Sequence, residues 1–141
     1  MRPSPLASPA LVARIIHAAL VLGIAIFWGV AWYVGSSRSV PSAALPDRKV
    51  LYVALFVVSA VTFGAAMYTA SRVAAMRSDL SVDDWWRLHL SRVIAVWALV
   101  EAPALFGIVA YLLTHDFRAL IAPFAGLLLF VNYRPSRFAE R

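Results

Sequence analysis

Glu101 is the one acid inside the long apolar runs of this 141-residue chain, and its carboxyl group is the strongest candidate for chemistry. A charged group at the centre of a bilayer costs about 2.5–3.5 kcal/mol on insertion scales, so such a residue is a functional hypothesis by default. Counted from Val93 at about 1.5 Å per residue, Glu101 lies ~12 Å inside its apolar run, near the middle of a ~30 Å hydrocarbon core. His17, counted from Leu11, lies ~9 Å inside a run that enters from the same side. Asn132 and Arg134 close the last apolar run, and Arg14 can snorkel towards the same level. Glu101, His17, Asn132, Arg134 and Arg14 are thus expected to form one intramembrane polar cluster. Two roles fit these groups. In one, Glu101 accepts from Arg134 or His17 in a satisfied network that fixes helix register. In the other, Glu101 cycles its protonation in a proton or cation relay, with His17 as its neighbour.

The elements that must position these residues follow from composition. Hydrophobic residues make up 62% of the chain and mean hydropathy is +0.79, well above the 45–50% apolar content typical of soluble domains. Apolar runs of membrane-spanning size cover about 11–35, 50–70, 93–113 and 117–133, the last one short and interrupted by Pro123. The expected fold class is therefore all-α, a polytopic membrane protein forming a single domain of four transmembrane helices over 1–141. The first run exceeds a secretory leader's 7–15-residue apolar core and is expected to stay as a span. His115 and Asp116 centre a tight turn that makes the last two helices an antiparallel hairpin. Ser81-Val-Asp-Asp84 reads as a capping box with Asp in place of Glu, starting a long third helix near Val82.

The net charge of +6 tracks orientation rather than nucleic-acid binding, since no basic stripe interleaves with aromatics. Arg2, Arg14, Arg72, Arg77, Arg87, Arg92, Arg134, Arg137 and Arg141 fall on one side; Arg38, Arg48, Lys49 and Arg118 fall on the other. The positive-inside rule then places both termini and the middle loop in the cytoplasm. Trp28 and Trp32 at the outer side, and Trp85 and Trp86 at the inner, are expected as interfacial anchors. Small-xxx-small pairs (Ala19/Gly23, Ala25/Gly29, Ala60/Gly64, Ala98/Ala102, Ala122/Gly126) occur in every span and allow close helix packing.

The segment Glu101-Ala-Pro-Ala-Leu-Phe-Gly-Ile-Val-Ala110 resembles the ion-carrying helix of rotary ATP synthase c-subunits. The resemblance implies an ion-binding carboxylate at Glu101. It covers this segment alone, because the second run carries only Gly64 where that family has alternating glycines. The last third of the chain, through Arg134-Pro-Ser136, resembles small four-span bacterial membrane proteins, which implies the architecture and a bacterial inner membrane, and no activity. Ala13-Arg-Ile-Ile-His17 is similar to the Ala-x-x-x-His spacing of antenna polypeptides, which would make His17 a pigment or haem ligand. His89 and His115 lie at opposite surfaces, so no second axial histidine sits at matching depth, and no cofactor is expected.

No cysteine is present, which removes thiolate metal sites, and no enzyme motif appears. The expected function is a non-catalytic accessory subunit of a larger membrane complex, of respiratory or photosynthetic type, packed against its larger membrane-protein subunits. The alternative is a proton- or cation-translocating protein that uses Glu101 as an oligomer.

Overall fold

The computed structural model describes residues 8–37, 47–73, 75–76 and 80–139. The N-terminal lead, most of the loop between the first two runs, and Arg2, Arg38, Arg77 and Arg141 lie outside the described residues. Those described are helical or in turns: α1 (Pro9–Ser37), α2 (Arg48–Ser71), α3 (Val82–Thr114), a 3-10 turn (Phe117–Leu120), α4 (Ile121–Asn132) and α5 (Pro135–Ala139). Helices α1, α2 and α3 are long and apolar enough to cross a membrane; the fourth apolar helix, Phe117–Asn132, is shorter.

Local chemistry sets the ends. Asp47 caps α2 by accepting from the Lys49 amide at 2.9 Å. Ser81 caps α3 by accepting from the Asp84 amide at 3.2 Å, and its hydroxyl donates to the Asp84 carboxylate at 2.6 Å. The third helix therefore starts at Val82, with Asp83 and Asp84 beside the positive end of its dipole. At the other end His115 takes a left-handed conformation, φ 53°, and its amide donates to the Tyr111 carbonyl. The Asp116 side chain then accepts from the Arg118 amide and opens the 3-10 turn. Pro123 falls in the first turn of α4, where a missing N–H costs little.

Helix α3 is the axis of the bundle. It packs along α1, α2 and α4, while α1 makes little contact with α2 and only a short contact with α4. Pairings of His17 with Trp97 and of Trp32 with Tyr111 make α1 parallel to α3. Half of α3's most apolar stretch is buried inside the molecule, against 11% for α1 and for α2.

The α3–α4 seam is the closest contact. A Cβ on Gly107 would lie 2.5 Å from Pro123 Cδ and 2.7 Å from the Ala119 carbonyl oxygen. A Cβ on Gly126 would lie 3.0 Å from Ala104 Cβ. Small residues thus let the two backbones touch, as the spacing Ala122/Gly126 on α4 predicts. On α3 the partners are Ala104 and Gly107; the expected pair Ala98/Ala102 is exposed on the opposite side.

Candidate functional site

His17 does not meet Glu101. Its ring is wedged edge-on against Trp97 (5.1 Å) and Phe130 (5.5 Å), and its Nε2–H donates to the Phe130 carbonyl at 3.1 Å. Trp97, fully buried, donates its indole N–H to the Tyr133 carbonyl at 2.8 Å. Both acceptors belong to the C-terminal end of α4, whose last carbonyls have no intrahelical partner. Pro135, which carries no N–H, removes the next donor as well. Two side chains from α1 and α3 therefore finish a helix on α4, and Phe138 of α5 stacks on Tyr133 below them at 6.0 Å. The Nε2 that would ligate a pigment or haem is the atom engaged here.

Glu101 stands apart from this node. It lies four positions beyond Trp97, ~6 Å further along α3. Val100, Ala104 and Gly107 form the face against α4, and one residue of helix rotates Glu101 by roughly 100° from Val100. Its side chain is half-buried at the rim of the packed face and makes no hydrogen bond or ion pair among the described residues. Asn132 is exposed and accepts from Arg137 at 2.9 Å. Arg14 and Arg134 are exposed without a described partner. The five residues are thus dispersed over a bonded histidine, a lone carboxyl group and an outward polar fringe. Neither the expected Glu101–His17 bond nor the expected Glu101–Arg134 bond forms: His17 is engaged by the Phe130 carbonyl, and Arg134 is exposed without a described side-chain partner.

The tryptophans also divide. Trp32 is 49% exposed and stacks on Tyr111, and Trp28 is half-buried with its edge towards Phe124. Trp85 and Trp86, expected as interfacial anchors, are packed within the molecule: they are 0% and 2% exposed, 5.0 Å apart and T-shaped, with His89 stacked on Trp85 at 4.7 Å. The Ser8 hydroxyl donates to Asp83 beside them, tying the start of α1 to the start of α3.

One polar grouping was not legible in the sequence. Tyr68, Thr69 and Arg72 at the end of α2 and Arg92 on α3 line a cleft of about 400 Å³. The i, i+4 spacing of Tyr68 and Arg72 was the available signal; the approach of Arg92 depends on how α2 and α3 cross.

Among the described residues no group of three or more His, Asp or Glu side chains could hold a metal ion. The chain matches no known protein-family model, no curated protein and no solved structure.

Proposed function

We propose that this chain is a non-catalytic accessory subunit of a larger integral membrane complex, of respiratory or photosynthetic type, stabilising assembly by helix packing. Four spans with both termini cytoplasmic accompany this role in a bacterial inner membrane. The 3-10 turn and α4 together rise roughly 26 Å, so the fourth span draws the bilayer in slightly.

The observation that carries the proposal is the bareness of α1 and α2. Each lays one face on α3, α1 adds short contacts with α4 and α5, and much of both helices stays exposed; a Cβ at Gly23, Gly29 or Gly64 would meet nothing within 4 Å. In lipid, helices associate through close backbone approach and dispersion rather than through hydrophobic burial. Faces bearing Ala19/Gly23, Ala25/Gly29 and Ala60/Gly64 are suited to receive partner helices. Gentle detergent extraction of the tagged protein from its native membrane, followed by sizing and mass spectrometry, tests this. Recovery in a stoichiometric larger complex is expected; recovery alone, or only with copies of itself, overturns it.

A second reading is favoured by Glu101. A half-buried carboxyl group with no described partner, next to the outward Ala98/Ala102 surface, suits a proton- or cation-carrying site completed by an adjoining subunit.

A further inference from the structure

We propose that Arg72 and Arg92 form a binding site for the phosphodiester headgroup of an anionic phospholipid in the cytoplasmic leaflet. The inference rests on the membrane placement proposed above and not on the identity of any partner complex.

The two guanidinium groups come from different helices to one cleft. Arg92 reaches across from α3 and donates through Nη1 to the Arg72 backbone carbonyl at 3.3 Å. Arg72 lies over the Tyr68 ring, its Cζ 5.0 Å from the centroid, and donates through Nη2 to the Tyr68 hydroxyl at 2.9 Å. Both arms are thus oriented by the protein, yet each guanidinium has five N–H donors and spends few of them on it. The Thr69 residue adds a hydroxyl to the lining.

No carboxylate competes among the described residues. Along α3 the nearest acids are Asp84, Asp83 and Glu101, ~12–14 Å from Arg92 in axial rise; Asp84 already pairs with Arg87 at 3.3 Å and Asp83 accepts from Ser8. Helix α2 has no acid at all. Two cations facing one cleft with no counter-charge among the described residues repel one another, and a bidentate phosphate relieves that repulsion.

Position selects a lipid over a soluble phosphate. Arg92 immediately precedes the apolar stretch that begins at Val93, and Arg72 immediately follows the one that ends near Ala70. From the cleft, exposed apolar side chains such as Met67 and Val61 continue along α2 into the bilayer, where acyl chains would lie. Basic pockets between membrane helices on the cytoplasmic side recognise anionic headgroups in this manner, with a contribution of about fivefold in affinity for each basic residue.

The test uses the full-length protein in vesicles and in detergent. Native mass spectrometry with phosphatidylglycerol, phosphatidylethanolamine and phosphatidylcholine of equal chain length should show one phosphatidylglycerol retained preferentially. The R72Q/R92Q double variant should lose that preference more than tenfold, and Arg87→Gln should leave it unchanged. Circular dichroism and stable insertion into pure phosphatidylcholine vesicles check that the double variant is folded and membrane-embedded. A folded double variant with undiminished preference overturns the proposal, as does equal retention of the three lipids by the unmodified protein. Saturation of the site by inorganic phosphate without any phosphatidylglycerol preference also overturns it, since the ligand would then not be a lipid. A protein that fails to enter phosphatidylcholine vesicles would instead refute the membrane placement itself.

Discussion

His17 and Phe130 are joined across two helices by a single polar contact, in which an imidazole N–H on α1 meets a carbonyl oxygen 3.1 Å away at the end of α4. Trp97 makes the parallel contact from α3 to Tyr133. Phe130 and Tyr133 are buried, so no water completes this helix end, and a buried carbonyl left without a donor costs about 1–3 kcal/mol. The short α4 can stop where it does because its neighbours supply the missing donors.

Trp97→Phe removes one of these donors while retaining a large aromatic ring. The Tyr133 carbonyl is then buried without its partner, at an expected cost of about 1–3 kcal/mol. Reversible unfolding in mixed micelles should show that loss. His17→Leu should cost less, about 0.6 kcal/mol and at most about 1.7, as interhelical hydrogen bonds between membrane helices do on average and at their strongest. A negligible loss in both variants would mean that α4 terminates independently of α1 and α3.

The α3–α4 seam makes a sharper demand. A methyl group at Gly107 would press on the Pro123 ring and on a backbone carbonyl, neither of which can rotate away. Gly107→Ala is therefore expected to destabilise by about 1–3 kcal/mol. Gly64→Ala meets open space and gains helix propensity, up to about 1 kcal/mol. Thermal unfolding of the isolated protein should move in opposite directions for the two. If Gly64→Ala also lowers stability or blocks recovery of a complex, its face is occupied by something outside this chain.

How far the sequence revealed these features depended on the kind of signal. The start of α3 was readable because Ser81 and Asp84 carry a capping pattern with a mechanism of its own. The tight turn was readable because His115 and Asp116 break an otherwise apolar stretch. By contrast, a membrane helix is apolar all round, so composition does not mark which side faces inward. Small residues occur on both sides of α3, and packing selects Ala104 and Gly107 over Ala98 and Ala102. For the same reason Trp85 and Trp86 read as surface anchors until the approach of neighbouring elements buried them. Depth arithmetic puts Glu101 and His17 at similar levels, but His17 packs against Trp97, about one turn of α3 before Glu101, and rotation about the helix axis, which depth cannot give, separates them further.

Asp116 offers a pH-dependent check on the turn. The Arg118 amide donates to its carboxylate, the Tyr52 hydroxyl lies beside it, and Arg118 and Arg48 are near, which together hold its pKa below the ordinary 3.8. A folded-state pKa below the unfolded one means the unfolded chain takes up the proton more readily. The stabilisation is therefore complete well above pH 3.8 and is lost as pH falls through the lower folded value. Melting of the unmodified protein and of Asp116→Ala, followed from neutral to acidic pH, should converge at the acid end. A constant gap across that range would show that the carboxylate's charge is irrelevant to the turn.

Glu101→Gln separates the two functional readings, because it keeps shape and hydrogen-bonding capacity while removing the titrating proton. An accessory subunit has no use for that proton. The variant should then enter its complex normally, or fail to enter if a partner residue pairs with the carboxylate. A translocating protein should assemble at full yield and lose ion flux in reconstituted vesicles. Reaction of Glu101 with a hydrophobic carbodiimide at neutral pH supplies an independent readout. The reagent attacks a protonated carboxyl group within the membrane, and nothing described in this chain ties that group up. Complete resistance to the reagent, with unaltered assembly of the Gln variant, would leave Glu101 without a role in ion movement. Labelling that abolishes flux, with assembly intact, would displace the accessory role in favour of translocation.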